Sequence, residues 1–411
     1  MECWSDVPER DPAGSGRKAQ YSSTPPLHHS MIVSLYVHIP FCLRKCLYCD
    51  FTSYPGKEGL FAEYVEALRA EIRLAAGRFP EVHVPTIYFG GGTPNVLSAD
   101  QLSSILGQIW ESFQVADNAE ITLESNPGLP IIRNSFNRLS LGVQSFHDSE
   151  LRALGRIHTA DEAVQAYRDA EFSNISVDLM YGIPGQTLNS WRQTLDMALD
   201  LGPEHVSLYS LTIEEGTPYW DMCQSGSLEL PGNDVEADMY DLAIEMLTGA
   251  GYEHYEISNF AKPGFECRHN ITYWRNEPYF GFGAGATSYL PSEGEMGREG
   301  EGAKKPTRMT NTASVEEYIR RIGSGESPVE SEECLTGRAS MGETMFLGLR
   351  MLRGVDVDAF RRRYGLTPQE AFPDQIADLV ERGLIEATSD AVRLTRRGLF
   401  LANDVFVEFV S

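Results

Sequence analysis

From residue 32 the chain alternates between short apolar runs and longer amphipathic stretches. Residues 32–39, 86–89, 119–124, 137–144, 174–180 and 205–211 are rich in β-branched and aliphatic side chains on both faces. That pattern predicts strands of a parallel sheet covered on each side. Between them, residues 60–76, 98–113 and 187–201 repeat their apolar positions at helical spacing. Ser98 followed by Gln101 predicts a capping box at the start of the second of these helices. Six strand–helix repeats point to an α/β sheet wound into a barrel or partial barrel. One connection is anomalous. Only residues 129–136 separate "ESNPG" from the fourth strand, and a parallel crossover normally takes a dozen residues or more. The expectation is a missing helix and an uncovered sheet face between Glu124 and Gln144.

Outside this repeat the pattern changes. Residues 1–30 are polar, rich in Pro, Gly and Ser, and aperiodic, which predicts a disordered tail. Met31 stands directly before the first strand and reads as a plausible natural start. A core domain with an extension is expected over 31–290, and a mobile linker region, with "PSEGEMGREGEGAKK" at its start, over 291–335. Residues 336–411 run from short helices into "GLIEATSDAVRLTRRG", two strand-like pieces after a helix end, as in a small winged-helix-like α+β domain.

Composition narrows the class. At 42% hydrophobic and 23% charged, the chain is that of an ordinary globular protein. No apolar stretch reaches membrane-span length and no secretory h-region opens the chain, so a cytoplasmic protein is expected. A formal net charge of −25 argues against a nucleic-acid partner, whose phosphates need Lys and Arg.

In a reducing compartment, clustered cysteines read as a metal or redox site. Here Cys42, Cys46 and Cys49, three of the chain's seven cysteines, fall within eight positions directly after the first strand. Zinc, with His38 or Asp50 as fourth ligand, is one reading. Structural zinc sites usually draw on two separated pairs, however, and no second pair follows. Closely spaced cysteines suit an iron–sulfur cluster better, and three ligands for four irons would leave one iron open. Structural thiols are the third reading.

"CLRKCLYC" resembles the CxxxCxxC motif of radical S-adenosylmethionine (SAM) enzymes. The resemblance implies a 4Fe–4S cluster on Cys42, Cys46 and Cys49, with S-adenosyl-L-methionine on the open iron, an external electron donor, and a partial (β/α)6 barrel. "YVHIPFC", "YFGGGTP", "ESNPG", "RLSLGVQSF", "LGRIH" and "VDLMYGIPGQT" follow in order and together resemble the oxygen-independent coproporphyrinogen III oxidase family. Their polar residues fall at the carboxyl ends of predicted strands, where α/β barrels place their sites. The resemblance then implies that Tyr36, Gly91, Gly92, Thr93, Glu124, Gln144, Arg156 and Asp178 hold SAM. The glycines would admit backbone amides close to the methionyl group. Glu124 would meet the ammonium or ribose, Gln144 and Arg156 the carboxylate or ribose, and Asp178 the ribose hydroxyls. Taken singly, each has a plainer reading as a turn, a solvated carboxylate or an ion pair.

Two features separate the branches of that family. The oxidase branch has a cysteine two positions after the third, where this chain has Phe51. "CRHNITYW", residues 267–274, resembles the HNxxYW motif of the haem-chaperone branch, which implies haem contact at His269 and delivery of haem to membrane-associated acceptors. Cys267 is an alternative ligand or a small buried thiol, and a packed core histidine is the plainer reading of His269. Thr287 stands where that branch often has a histidine. Three functions therefore remain in view: haem carrier, coproporphyrinogen III oxidase, and zinc-stabilised binding protein.

Overall fold

A computed structural model describes residues 31–79, 81–291, 306–335 and 337–410. The expected disordered tail and residues 292–305 of the expected mobile loop lie outside the described residues. Six strands run in parallel, each beside its sequence neighbour: β2 (Ser34–Ile39), β3 (Val82–Gly91), β4 (Gln114–Ser125), β5 (Arg138–Gln144), β6 (Ile175–Tyr181) and β7 (His205–Ser210). A two-residue strand, β1 (Met31–Ile32), extends the edge of β3. This is the strand order of a (β/α)6 partial barrel, as the periodicity predicts. Registers such as Ile39↔Gly91, Glu124↔Ser140 and Asp178↔Ser207 bring the carboxyl ends of the six strands together.

Helices α1 (Phe61–Arg78) and α2 (Ala99–Ser112) follow β2 and β3, and the Ser98–Gln101 capping box forms as expected. After β5 come α3 (Asp148–Leu154) and α4 (Ala160–Asp169). Then α5 (Leu188–Leu201) covers β6, and α6 (Pro218–Gln224) and α7 (Asn233–Gly249) follow β7. The apolar interior divides in two. One core gathers β2–β4 with α1 and α2, including Leu35, Ile87, Leu123 and Leu106; the other gathers β5–β7 with α5 and α7, including Leu141, Val177, Trp191 and Met239.

The anomalous connection is real and helix-free. Residues 126–137 carry the chain from β4 to β5, which still pair in parallel from Thr122↔Arg138 to Ser125↔Leu141. The expected uncovered face is closed by the connection itself. Ile132 and Phe136 are buried in the first core, Phe136 edge-on to Phe89 at 5.2 Å, while Ile131 packs against the second. Asn137 joins the backbone ladder: its side chain accepts from Ile121 N at 2.8 Å and donates to Ala119 O at 2.7 Å. A short apolar loop with its polar groups satisfied thus replaces a helix.

Beyond α7 the sheet continues. Strand β9 (Asn259–Ala261) adds antiparallel to β7 and β8 (Glu253–Glu256) antiparallel to β9, while β10 (Tyr279–Phe282) adds parallel to β2. Between them lies α8 (Arg268–Trp274). Residues 306–334, within the segment expected as a linker, are ordered sheet. After β11 (Thr287–Pro291), β12 (Pro306–Asn311) and β13 (Val329–Cys334) extend it antiparallel, with α9 (Val315–Gly323) between them. β13 is the exposed edge of the sheet, and β12 beside it is polar in sequence although it is paired on both sides, which is why this stretch resembles a linker.

Helix α10 (Gly337–Gly348) leads into β14 (Val355–Asp356), α11 (Val357–Tyr364), α12 (Pro368–Ala371), α13 (Pro373–Glu381), β15 (Ile385–Ala387) and β16 (Ala391–Leu394). The three strands form a separate antiparallel sheet in the order β14–β16–β15, over a core of its own that includes Phe360, Phe372 and Val392. Among the described residues, no helix is long and apolar enough to cross a membrane.

Candidate functional site

The chain leaves β2 at Pro40 and returns through residues 41–54 as a loop pinned at both ends. Tyr54 N donates to Pro40 O at 2.8 Å, and His38 Nε2 contacts Thr52 O at 2.8 Å. Cys42, Cys46 and Cys49 sit on this loop and line one wall of a cavity of ≈430 Å³ at the strand ends. Burial raises the thiols of Cys42 and Cys49, so a positive or metallic partner is what would favour their thiolates. Arg156 supplies part of that: its Nη1 lies 3.6 Å from Cys46 Sγ.

The opposite wall is the end of β3. Gly91 has φ +113°, and a Cβ there would meet the His38 ring at 2.4 Å. At Gly92 a Cβ would meet Phe41 O at 2.5 Å and Cys42 Sγ at 3.0 Å. Both positions therefore need glycine for the strand end to lie against the cysteine loop. Thr93 Oγ1 lies 3.4 Å from Cys42 Sγ and accepts from Asn126 Nδ2 at 2.8 Å.

Carboxylates close the floor. Glu124 accepts from Tyr88 OH at 2.8 Å and from Gly91 N at 3.1 Å. Burial pushes its pKa up to about 7, with nearby Asp178 adding to the rise. Asp178 accepts from Ser140 Oγ at 2.8 Å and Ser176 Oγ at 2.9 Å, and burial raises it too. Among the described residues, neither carboxylate has a cationic hydrogen-bond partner. Gln144 sits where the β5–β6 register shifts, at φ +69°, so a bulge turns its side chain into the cavity. Its Oε1 is buried with no partner, as is Nε of Arg156. The rest of the Arg156 guanidinium is held by Asn126 Oδ1 at 2.6 Å and Gly142 O at 2.8 Å.

The cavity thus offers three thiols, a glycine edge, two buried carboxylates and two orphaned polar atoms. A ligand carrying both cationic and carboxylate groups would satisfy that set, and a cluster would satisfy the thiols, so the residues fit both groups. Every expected SAM residue except Tyr36 lines this cavity. Tyr36 stands just behind it, 2.9 Å from His38 Nδ1 and stacked on Tyr88 at 6.3 Å. Asn126, Tyr209 and Met180 also line the cavity and escaped the sequence reading. Asn126 was signalled by "ESNPG" and Met180 by "VDLMYGIPGQT"; Tyr209 had no signal beyond standing at a strand end.

His269 is elsewhere. It lies in the first turn of α8, 1% exposed and stacked on Tyr88 at 5.1 Å. Glu120, on β4, accepts from the Arg268 and His269 amides at 3.1 and 3.0 Å and so caps this helix. Thr86 Oγ1 donates to Ser34 Oγ, so His269 Nδ1–H donates to Thr86 at 2.8 Å, and Nε2 accepts from Tyr273 OH at 2.9 Å. Burial, with Arg138 adding to it, pushes the ring down to about 3, which keeps it neutral. In this arrangement the lone pair a haem iron would need is taken and the ring has no open face. His269 is packed in the core here, the plainer of its two sequence readings, and the expected haem contact at this ring would need Tyr273 to release Nε2. Cys267 is likewise fully buried, its thiol pushed up by burial to about 12. From Tyr88 and His269 the rings continue through Tyr273, Tyr279 and Tyr289 at 4.9, 4.7 and 6.2 Å.

The strand-end cavity, its cysteine loop and the parallel half-barrel define a radical SAM protein. Residues 36–198 match the model of the radical SAM superfamily, and residues 335–401 that of the HemN C-terminal domain. Membership of that superfamily implies a 4Fe–4S cluster and SAM. The protein named heme chaperone HemW of Bacillus subtilis (strain 168) is 39% identical over 92% of this chain and 99% of its own length; the one of Lactococcus lactis (strain IL1403) is 37% identical over 92% and 97%. This chain belongs to the HemW haem-chaperone family. Its fold matches that of coproporphyrinogen III oxidase (HemN) from Escherichia coli, with a TM-score of 0.76 at 24% identity, over 94% of this chain and 92% of that one.

Proposed function

We propose that this chain is a cytoplasmic haem carrier that binds a 4Fe–4S cluster, SAM and haem and passes haem to membrane-associated acceptors. The observation that carries the reading is the 39% identity along 99% of a protein named as a haem chaperone. Phe51, 63% exposed at the rim of the cavity where the oxidase branch has its fourth cysteine, supports the carrier over the oxidase.

In this reading Cys42, Cys46 and Cys49 would hold the cluster, which, with an electron donor, would supply one-electron reducing chemistry toward a bound SAM sulfonium. Gly91, Gly92 and Thr93 let the β3 edge lie along the methionyl group. Glu124, once its proton had passed to solvent, would meet the ammonium, Gln144 Oε1 and Arg156 Nε would supply polar atoms to the carboxylate or ribose, and Asp178 would accept from the ribose hydroxyls. Tyr36 supports the floor through Tyr88. Direct ligation of haem by His269 requires Tyr273 to release Nε2.

The test is a haem titration of anaerobically reconstituted protein, with His269→Ala beside wild type and coproporphyrinogen conversion assayed in parallel. Stoichiometric haem binding without conversion is the expected result. Conversion that depends on Cys42 and SAM would establish the oxidase instead. A colourless protein that binds zinc at the same cysteines would leave only the zinc-stabilised reading.

A further inference from the structure

The last residue of α8, Trp274, opens onto a second cavity, of ≈650 Å³, between the main sheet and the C-terminal domain. It shares no lining residue with the cysteine cavity. One wall is apolar: the indole of Trp274, then Met351, Val355 and Phe360, the last three almost fully buried. The Trp274 indole is held flat by Arg350, whose guanidinium lies 4.3 Å above the ring, and its Nε1 is buried with no partner.

Three more arginines line the same space: Arg275, Arg353 and Arg363. Arg363 is fixed by Asn276 O at 2.8 Å and Tyr289 OH at 3.0 Å, so its charge is presented without a carboxylate partner. Arg353 makes no hydrogen bond or salt bridge among the described residues. Burial, then the charge of Arg275, holds it below the ordinary guanidinium range. The acids nearby are largely committed. Glu277 pairs with Arg275 at 3.9 Å, Asp356 caps α11 through Ala359 N at 2.6 Å, and Asp390 accepts from Ser389 Oγ at 2.8 Å. In a chain of net charge −25, two guanidinium groups that lie in the field of Glu266, Glu277 and Asp356 but hydrogen-bond no carboxylate, over an apolar wall, are not a generic surface.

The volume lies within the range of cofactor sites, which are concave, mostly apolar and fixed by a few polar groups. A flat apolar ring bearing carboxylates fits the wall and the arginines together, with bidentate pairing available at Arg353. Resting on the haem-carrier reading, we propose that this cavity, rather than the buried ring of His269, is where the tetrapyrrole docks: its ring against Trp274 and Phe360, its propionates at Arg353 and Arg363. Trp274 then stands in the cavity at the end of α8, with the buried His269 five residues back, about 7.5 Å along the axis.

The experiment titrates the full chain with haemin and, separately, with metal-free protoporphyrin IX, reading absorbance and tryptophan fluorescence quenching. Wild type is compared with Arg353→Glu, with Ala359→Trp, which fills the cavity from an exposed position, and with Arg320→Glu as a charge-matched control on α9. Thermal melts establish that each variant is folded. Wild type and control should bind both porphyrins, and both cavity variants should lose at least tenfold in affinity for each. Unchanged binding by both cavity variants would overturn the cavity and leave the haem reading standing. Binding of haemin but not of the metal-free ring would overturn it too, since iron ligation would then be driving association. A wild type that binds neither porphyrin would overturn both.

Discussion

Glu124 shows how a single residue ties stability to ligand binding. Its carboxyl, raised to about 7 by burial, is favoured protonated in the fold, while in the unfolded chain it ionises near 4.3. Its contribution to stability is therefore full below about pH 4 and lost as pH rises toward 7. Glu124→Gln removes that loss, so the ligand-free variant should be more stable than wild type at pH 8, by about 1 kcal/mol or more, and indistinguishable near pH 4.5. Urea denaturation at the two pH values measures the gap. The same variant should bind SAM at least tenfold more weakly, because the anion that meets the ammonium is gone. Wild-type affinity for SAM should rise with pH through 7, where the variant's stays flat. At this scale the sequence was informative wherever a side chain stood at the end of a strand: Glu124, Gln144 and Asp178 reached the cavity because strand ends converge there. It was uninformative about His269, since a histidine in a helix reads the same whether its nitrogens are free or taken by Thr86 and Tyr273.

Among the elements, the helix-free crossover is the point of departure from the expected pattern. Its adjacent residues Ile131 and Ile132 serve different cores, and Phe136 fills the space against Phe89. Phe136→Ala should cost about 3–5 kcal/mol in equilibrium unfolding, the usual penalty for an emptied aromatic site. Asn137→Ala should cost about 1–3 kcal/mol by leaving Ile121 N and Ala119 O without their partners. The parallel strands and the α2 cap were legible because burial on both faces and capping chemistry leave direct marks on sequence. The edge strand β13 was not, since it is exposed along nearly its whole length and so carries no alternation to mark it as a strand.

For the whole molecule, the two cavities have separate linings, and this sets a test of how the cofactors communicate. Cys42→Ala should abolish the cluster's absorbance after anaerobic reconstitution while leaving the affinity for protoporphyrin within about twofold of wild type. A larger loss would mean that the cysteine loop shapes the porphyrin site. The general outline of the molecule was readable from hydrophobic period alone, but the second cavity was not. Its lining comes from residues 274–277, 344–363 and 390–391, segments that meet only when the C-terminal domain folds against α8.

The short crossover has a kinetic consequence as well. Joining β4 to β5 through 12 residues makes their pairing one of the most local contacts between strands of the parallel sheet, with little loop entropy to lose on closure. This seam, where the two cores meet, is expected to close early in folding and to make the halves of the barrel unfold together. Doubling the connection with a flexible insert after Leu129 would add only about 0.6 kcal/mol in closure entropy. It should nevertheless slow refolding and split one unfolding transition into two, because what the seam supplies is cooperativity more than stability.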